Sequence, residues 1–287
     1  MRIDAIAQPL VRLALTEDLG GGDVTTEAVV RDTARARAHI EAREAGVLAG
    51  AETAAIAFRE LDPAVKIEWR VQDGGDLKSG LTVAVISGRA RAILSAERVA
   101  LNFLQHLSGI ATRARAFVQA VEGSGVTILD TRKTTPGLRV LEKLAVLAGG
   151  ARNHRFGLFD GVLIKENHVR AAGGLKPAIE RARAAADTLP VVVEARSPAE
   201  ALETAELGAD RVLLDNFTPA QVAEVVKRLG AARLPRAPEI EVSGGITLKN
   251  VRAFAIPGVS YISVGSLTHS APAVDLSLLV DSLEPAA

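Results

Sequence analysis

The sequence predicts an α/β protein in which a sheet covered by helices precedes an α/β barrel, either complete or open. From residue 126 onward, short runs of branched aliphatic residues alternate with segments of helical periodicity. Six such runs lie at 126–130, 161–165, 190–194, 211–215, 239–243 and 260–264. Continuous apolar runs are typical of parallel strands that are buried on both faces. Because no Gly-x-Gly-x-x-Gly motif follows any run, the pattern favours a barrel over a dinucleotide-binding sheet.

The first hundred residues change periodicity several times, which indicates a mixed sheet-and-helix domain. Alternation of polar and apolar residues predicts strands, whereas apolar residues at 3.6-residue spacing predict helices. In chain order we expect a helix at 9–18 after Pro9, a turn at 20–23, a strand at 35–43, a helix at 51–61, and strands at 65–71 and 83–86.

Two further helices are expected before the barrel, and one more at the end of the chain. Ser95 is a suitable N-cap for the first helix, which continues to about Leu107. The second carries Ile110 and Phe117 on one face. The segment 274–283 is expected to form a final helix that packs back on the first domain.

The composition excludes several classes of function. Lys and Arg total 34, as do Asp and Glu, and only 3% of the residues are aromatic, so a nucleic-acid partner is disfavoured. Without cysteine, disulfides and Cys-type metal sites are excluded. The N-terminus lacks the apolar core of a signal peptide, and no apolar stretch has the length of a membrane span. We therefore expect a cytoplasmic protein without a membrane partner.

All six predicted strands end in polar or glycine-rich residues. The ends are Asp130 with Thr131-Arg132-Lys133, then Lys165, Glu194, Asp215, Ser243-Gly244-Gly245 and Gly265-Ser266. The carboxyl ends of barrel strands meet at one face, where the active sites of such barrels are built. A single charged strand end is as often structural as functional, but six together predict a functional cleft.

The charges at these strand ends separate by sign. Residues 131–170 contain eight basic and three acidic residues, and residues 187–224 contain eight acidic and two basic residues. Many of these charges belong to solvated helix faces, but those at the strand ends face the cleft. Glu194 and Asp215 offer the hard oxygen ligands that Mg²⁺ prefers, although they could also be ordinary capping carboxylates.

The basic residues and the glycines predict binding of anions. Arg132 and Lys133 are adjacent, and His154 and Arg155 precede the second strand. Such a cluster could hold two carboxylates or several phosphates, and spacing alone does not choose between them. Residues 243–245, before a helix expected to begin near Thr247, and residues 265–266 fit the phosphate site that barrels often build after their last strands.

Long motifs over nearly the whole chain resemble quinolinate phosphoribosyltransferases. They are LTEDLGGGDVTTEAV, SAERVALNFLQHLSGIAT, ILDTRKTTPGLR, GGARNHRFGLFDGVLIKENH, LLDNF, SGGIT and SVGSLTHSAPAVDLSL. The resemblance implies an N-terminal α/β sandwich at 1–108, with the tail 270–287 packing on it, and an open TIM-like α/β barrel at 109–269. It also implies a homodimer, or an assembly of dimers, with shared active sites.

The resemblance also implies roles for individual residues. The residues expected around quinolinate and the neighbouring phosphates are Arg98 from the partner subunit, Thr131, Arg132, Lys133, His154, Arg155 and Lys165. Glu194 and Asp215 would hold the ribose hydroxyls and Mg²⁺ of phosphoribosyl pyrophosphate. Ser243, Gly244, Gly245, Gly265 and Ser266 would hold its 5-phosphate. Catalytic roles are implied for Lys133, Lys165, Glu194 and Asp215.

The implied reaction joins quinolinate to phosphoribosyl pyrophosphate and releases pyrophosphate and CO₂. Two alternatives are a related phosphoribosyltransferase-like protein of molybdenum-transport type and a non-catalytic barrel that binds phosphometabolites. The intact motifs at 153–155 and 165–168 favour the quinolinate enzyme over the first. Glu194 and Asp215 beside the basic cluster disfavour the second.

Overall fold

The computed structural model describes residues 4–186, 188–234 and 236–284, and the chain forms two compact units. The first unit runs up to Arg115 and also includes residues 135–150 and the chain from Ser270 onward. The second unit consists of residues 116–134 and 151–269.

The first unit contains a four-stranded antiparallel sheet with order β12-β1-β5-β3. Its elements are α1 (Asp4–Leu19), α2 (Val24–Val29), β1 (Arg35–Ala42), β2 (Gly46–Val47), α3 (Ala51–Leu61), β3 (Lys66–Trp69), β4 (Asp76–Leu77), β5 (Leu81–Arg89), α4 (Ala90–Ala120, whose last residues belong to the second unit), α5 (Arg139–Ala148) and β12 (Leu276–Glu284). Strand β1 buries alternate residues, among them Ala38 and Ile40, which is the period of a half-buried strand. The predicted strands and the helix at 51–61 are therefore confirmed.

The first helix begins earlier than the sequence predicted. It starts at Asp4 rather than after Pro9, so the proline lies inside it. Proline lacks the N–H that would bond the carbonyl of Ala5, so it removes one intrahelical bond. Here that loss falls near the start of a 16-residue helix, which continues through it.

The expectation of two helices around Ser95 was wrong, because α4 is one continuous helix of 31 residues. Ser95 lies inside the helix and is not its cap, and its hydroxyl donates to Asp23 Oδ2 at 2.9 Å. Gly109 does not break the helix. A Cβ atom at this position would lie 2.0 Å from the carbonyl oxygen of Pro272, so the glycine permits close approach of two backbones.

The final segment is a strand, so the predicted terminal helix was wrong. Strand β12 pairs antiparallel with β1, from Arg35 opposite Glu284 to Ala42 opposite Leu276. Leu276 and Leu278 are buried and alternate with Ser277, which is a period of two residues. The sequence VDLSLLVDSL fits both the 3.6-residue period of a helix and the two-residue period of a strand, and the pairing with β1 selects the strand.

The second unit is built on a six-stranded parallel sheet with order β6-β11-β10-β9-β8-β7. Its elements are β6 (Thr127–Leu129), β7 (Val162–Ile164), α6 (Glu166–Ala172), α7 (Leu175–Ala186), β8 (Val191–Ala195), α8 (Pro198–Glu206), β9 (Arg211–Asp215), α9 (Pro219–Ala231), β10 (Glu239–Ser243), α10 (Val251–Phe254), β11 (Tyr261–Ser263) and α11 (Ser266–His269). All six predicted strands are confirmed. Ile164, Val191 and Val193 pack against α7, so this part of the core lies between sheet and helix.

The strand order is that of a barrel that remains open at one seam. Each strand neighbours the next in the chain except at β6, which pairs with the last strand, β11. In the described residues no ladder joins β6 to β7. Instead, the backbone of Arg152 bonds β6, accepting from Asp130 N–H at 3.1 Å and donating to Ile128 O at 2.9 Å. The predicted open α/β barrel is confirmed.

None of the described helices combines the length and apolar character needed to cross a bilayer.

We expect Gly109→Ala to destabilise the protein by about 3 kcal/mol, because the added methyl group would overlap the Pro272 carbonyl. Gly230→Ala is the matched control. Gly230 lies in α9, and a Cβ there would meet nothing within 4 Å. That change should stabilise the helix by about 0.5–1 kcal/mol. Urea unfolding of both variants checks this, and equal midpoints for the two would contradict the close-approach argument.

Candidate active site

The carboxyl ends of the barrel strands surround one cleft of about 550 Å³ within the second unit. Eleven predicted site residues line it, namely Thr131, Arg132, Lys133, His154, Arg155, Lys165, Glu194, Asp215, Ser243, Gly244 and Gly245. The convergence follows from the fold, because parallel barrel strands all present their carboxyl ends at one face.

Three further predicted residues lie outside that lining. A Cβ at Gly265 would lie 3.1 Å from Lys133 Cδ and 3.4 Å from Thr131 Oγ1, so the main chain at this glycine packs closely against the Lys133 side chain. Ser266 is the first residue of α11. Arg98 belongs to α4 in the first unit, where its guanidinium lies 3.7 Å from Glu97 and its side chain is 59% exposed.

The acidic side of the cleft consists of Glu194 and Asp215, at the ends of neighbouring strands β8 and β9. Lys165 Nζ donates to Glu194 Oε2 at 2.7 Å. Asn216 Nδ2 donates to Asp215 Oδ2 at 2.9 Å. Burial and the charge of Glu194 raise the pKa of Asp215, and Lys165 and Lys133 oppose them only in part. The two carboxylates therefore repel one another, and a bound cation or donors from a ligand would relieve that repulsion.

This donor set fits magnesium in one particular way. Among the described residues no group of three or more His, Asp or Glu side chains could hold a metal ion. Mg²⁺ is commonly held by one or two carboxylates together with water and substrate phosphate oxygens. Glu194 and Asp215 fit that arrangement, in which the substrate completes the coordination.

The basic side of the cleft is crowded with positive charge. Burial and the charge of Arg132 lower the pKa of Arg155, against the opposing charge of Asp160. Arg155 Nη1 donates to Gly161 O at 2.8 Å, whereas its buried Nε has no hydrogen-bond partner within the described residues. A multiply charged anion would neutralise this cluster and accept its remaining donors.

Lys133 is held by the backbone around it. Its N–H donates to Thr131 Oγ1 at 3.1 Å, and its carbonyl accepts from Thr268 Oγ1 at 2.6 Å. These contacts fix the start of the loop after β6, so the lysine enters the cleft from a defined main-chain position.

The glycine-rich end of β10 differs from expectation in one respect. The helix expected near Thr247 begins only at Val251 and has four residues. Thr247 N–H donates to Asn250 Oδ1 at 2.7 Å, and Asn250 Nδ2 donates to Gly245 O at 3.0 Å, so residues 245–250 form a side-chain-closed turn. The main chain that faces the cleft here is therefore a loop.

Gly244 and Asn216 fit against each other at this end of the sheet. Gly244 has φ 89°, and a Cβ there would lie 2.2 Å from Asn216 Oδ1. Asn216 itself has φ 58°, in the left-handed region that asparagine tolerates better than most residues. Asn216 N–H donates to Ser243 O at 2.9 Å, which joins the ends of β9 and β10.

A buried ionic group lies at the floor of the cleft and was missed by the sequence analysis. Glu241, in the middle of β10, is fully buried. Its Oε2 accepts from Arg211 Nη1 at 3.0 Å, and its Oε1 lies 3.3 Å from His154 Nε2. In the sequence Glu239 and Glu241 alternate with Ile240 and Val242, a pattern that does not show that Glu241 is buried. Asn216 and Ser263 also line the cleft and were not predicted.

Comparison with known proteins agrees with this architecture. The family model described as quinolinate phosphoribosyl transferase, C-terminal domain, matches residues 110–279, and that of the N-terminal domain matches residues 23–108. A relative from Nicotiana glauca, quinolinate phosphoribosyltransferase [decarboxylating] 1, is 42% identical over 95% of this chain and 82% of its own length. A probable nicotinate-nucleotide pyrophosphorylase [carboxylating] from Bacillus subtilis is 43% identical over 91% of this chain and 89% of its own length.

Solved structures resemble the whole chain. The crystal structure of NadC from Streptococcus pyogenes has a TM-score of 0.92 and 39% identity, covering 99% of this chain and 98% of that one. The nicotinate-nucleotide pyrophosphorylase from Francisella tularensis has a TM-score of 0.92 and 37% identity, covering 98% of each chain.

Proposed function

Because the chain belongs to the quinolinate phosphoribosyltransferase family, we propose that it transfers the phosphoribosyl group of phosphoribosyl pyrophosphate to quinolinate with decarboxylation. The products are nicotinate mononucleotide, pyrophosphate and CO₂. The observation that carries this proposal is that one cleft holds both a pair of neighbouring guanidiniums, Arg132 and Arg155, and a pair of carboxylates, Glu194 and Asp215. Lys133 and Lys165 also line the cleft, and their charges act on Asp215.

The basic side is matched to the pyridine dicarboxylate. Guanidinium groups bind carboxylates bidentately, and the crowded Arg132–Arg155 pair gains most from a doubly negative ligand. Held by its carboxylates, the ring presents its nitrogen toward the acidic side, where the ribose would lie. The protein then supplies orientation rather than a nucleophile.

The bond changes are a substitution followed by loss of CO₂. The pyridine nitrogen forms a bond to ribose C1 while the bond from C1 to pyrophosphate oxygen breaks. The ring then carries positive charge at nitrogen, which accepts the electron pair left when the 2-carboxylate departs, and C2 takes up a proton. Glu194 and Asp215 stabilise the positive charge that develops at C1, and Lys133 and Lys165 stabilise the departing negative charge.

We propose Mg²⁺ as the cofactor, held by Glu194 and Asp215 together with oxygens of phosphoribosyl pyrophosphate. Bound there, the ion would neutralise pyrophosphate charge. The support for this assignment is the pair of carboxylates at neighbouring strand ends and the raised pKa of Asp215 beside Glu194. The backbone at 243–245 and 265–266 would receive the 5-phosphate.

We also propose a cytoplasmic homodimer in which Arg98 completes the partner's site. The family resemblance and the exposed Arg98 guanidinium support the shared site, and the lack of cysteine fits a reducing compartment. Sedimentation of the purified protein at micromolar concentration tests the dimer.

We expect nicotinate to be used at least about 100-fold less efficiently than quinolinate, because it lacks the 2-carboxylate and leaves cationic donors unpaired in the cleft. Both acceptors would yield nicotinate mononucleotide, so one chromatographic assay with Mg²⁺ gives kcat/KM for each. Release of one CO₂ per nucleotide from quinolinate is the internal check. No nucleotide from quinolinate, or equal efficiency with nicotinate, would overturn the proposed function.

A further inference from the structure

Glu241 is a charged residue in a place where charge is costly. Its side chain is fully buried in the barrel, and burial alone would raise its pKa. Favourable interactions with His154, Ser263 and Arg211 outweigh burial, so the pKa lies below its ordinary value. The residue is therefore a carboxylate at neutral pH, held from two sides.

Arg211 anchors this carboxylate from the neighbouring strand. Its Nη1 donates to Glu241 Oε2 at 3.0 Å, while Nε and Nη2 donate to Glu239 Oε2 at 3.0 and 2.8 Å. The guanidinium also lies over the Tyr261 ring, 3.9 Å from its centre. With its donors directed at two carboxylates and its face against an aromatic ring, Arg211 is held in one orientation.

His154 connects Glu241 to the basic side of the cleft. The backbone N–H of Arg155 donates to His154 Nδ1 at 2.8 Å, so Nδ1 is an acceptor and carries no hydrogen. The ring hydrogen is then on Nε2, which faces Glu241 Oε1 at 3.3 Å. The backbone N–H of His154 donates to Asp130 Oδ1 at 2.7 Å, which fixes the main chain on the other side.

We infer that Glu241 is a positioning residue for the dicarboxylate site, acting through the tautomer of His154 on the main chain of Arg155. The inference rests on the proposed function. The carboxylate selects the Nε2–H form of the imidazole, that form leaves Nδ1 to accept from Arg155 N–H, and the bond sets the direction from which the Arg155 guanidinium enters the cleft.

The variant Glu241→Gln tests this inference, because it changes which hydrogen bonds the side chain can accept. Arg211 Nη1 and His154 Nε2 face different oxygens of Glu241, and an amide has an acceptor oxygen at only one of those two positions. The charged Arg211 takes the oxygen, and the amide nitrogen then faces His154 Nε2. His154 is expected to change to the Nδ1–H form, which removes the bond from Arg155 N–H.

The matched control is Glu239→Gln. Glu239 lies on the same strand and binds the same arginine, but its contacts are Arg211 and Tyr261 and do not include His154. We expect Glu241→Gln to raise the KM for quinolinate about tenfold. The KM of Glu241→Gln for phosphoribosyl pyrophosphate should stay within about twofold of the wild-type value. In Glu239→Gln, the KM values for both substrates should stay within about twofold of wild type.

A spectroscopic measurement separates positioning from a general loss of structure. In wild-type protein labelled with ¹⁵N-histidine, the His154 resonances, assigned with His154→Asn, should show the Nε2–H form at neutral pH. They should show the Nδ1–H form in Glu241→Gln. An Nδ1–H or doubly protonated His154 in the wild type would overturn the inference, as would an equal rise in both KM values. The wild-type spectrum is measured without turnover and does not depend on whether a variant folds. The wrong tautomer in that spectrum would contradict this inference alone, whereas absence of product would contradict the proposed function.

Discussion

Replacing Arg132 by alanine is expected to lower kcat/KM for quinolinate at least about 1000-fold while leaving the fold intact. Arg132 lines the cleft immediately after β6, and its charge contributes to lowering the pKa of Arg155. The two guanidiniums therefore repel one another in the ligand-free protein, and a bound anion would relieve that repulsion. Loss of Arg132 removes charge that would bind the substrate, without removing an attractive contact between these two side chains.

Two measurements on this variant are needed together. Steady-state kinetics gives the loss of activity, and the thermal midpoint shows whether the variant remains folded. Arg228→Ala is the control, because Arg228 lies on α9, pairs with Glu224 in the same helix and is half-exposed. Its kinetics should stay within about twofold of the wild type. Wild-type kinetics in Arg132→Ala would show that the basic cluster is structural.

Replacing Glu194 by glutamine is expected to lower kcat/KM for phosphoribosyl pyrophosphate at least about 100-fold. Quinolinate affinity should stay within about threefold. Glu194 is one of two carboxylates on the acidic side and pairs with Lys165 at 2.7 Å. The amide keeps the shape of the side chain but removes the charge that would hold the metal-bound substrate. It also removes the neighbouring charge that, after burial, raises the pKa of Asp215.

Isothermal titration with quinolinate and kinetics with varied phosphoribosyl pyrophosphate distinguish the two sides of the cleft. Glu224→Gln, on the exposed face of α9, is the matched control and should leave both constants near wild-type values. Loss of quinolinate affinity with unchanged use of phosphoribosyl pyrophosphate would reverse the assignment of the acidic side.

The second unit was predictable from its sequence because its strands are buried on both faces. Runs such as PVVVE and RVLLD have few alternatives to a parallel strand, and Val191 to Val193 and Val212 to Leu214 are all nearly inaccessible to solvent. Since parallel barrel strands share one carboxyl-end face, the polar residues that follow them had to converge. Eleven site residues were placed in one cleft by this argument and the resemblance.

The errors occurred where long-range contacts decide between local alternatives. The two helices expected around Ser95 are one continuous helix, α4, whose Gly109 permits close approach of the Pro272 carbonyl. The segment 276–284 fits a helix and a strand, and pairing with β1 selects the strand. The turn after Gly245 is closed by the side chain of Asn250, so the following helix begins late.

Glu241 was missed for a related reason. A glutamate in a strand usually faces solvent, and only the register of β9 and β10 shows that this one faces inward, toward Arg211 and His154. Its partners come from separate parts of the chain, so spacing in the sequence carries no information about the network.

A crystal structure of the protein with bound quinolinate tests the division of the cleft most directly. We expect both carboxylates to contact the basic side, with Arg132 and Arg155 among their donors, and the ring nitrogen to face Glu194 and Asp215. A dicarboxylate bound at the 243–245 loop, or outside this cleft, would contradict it.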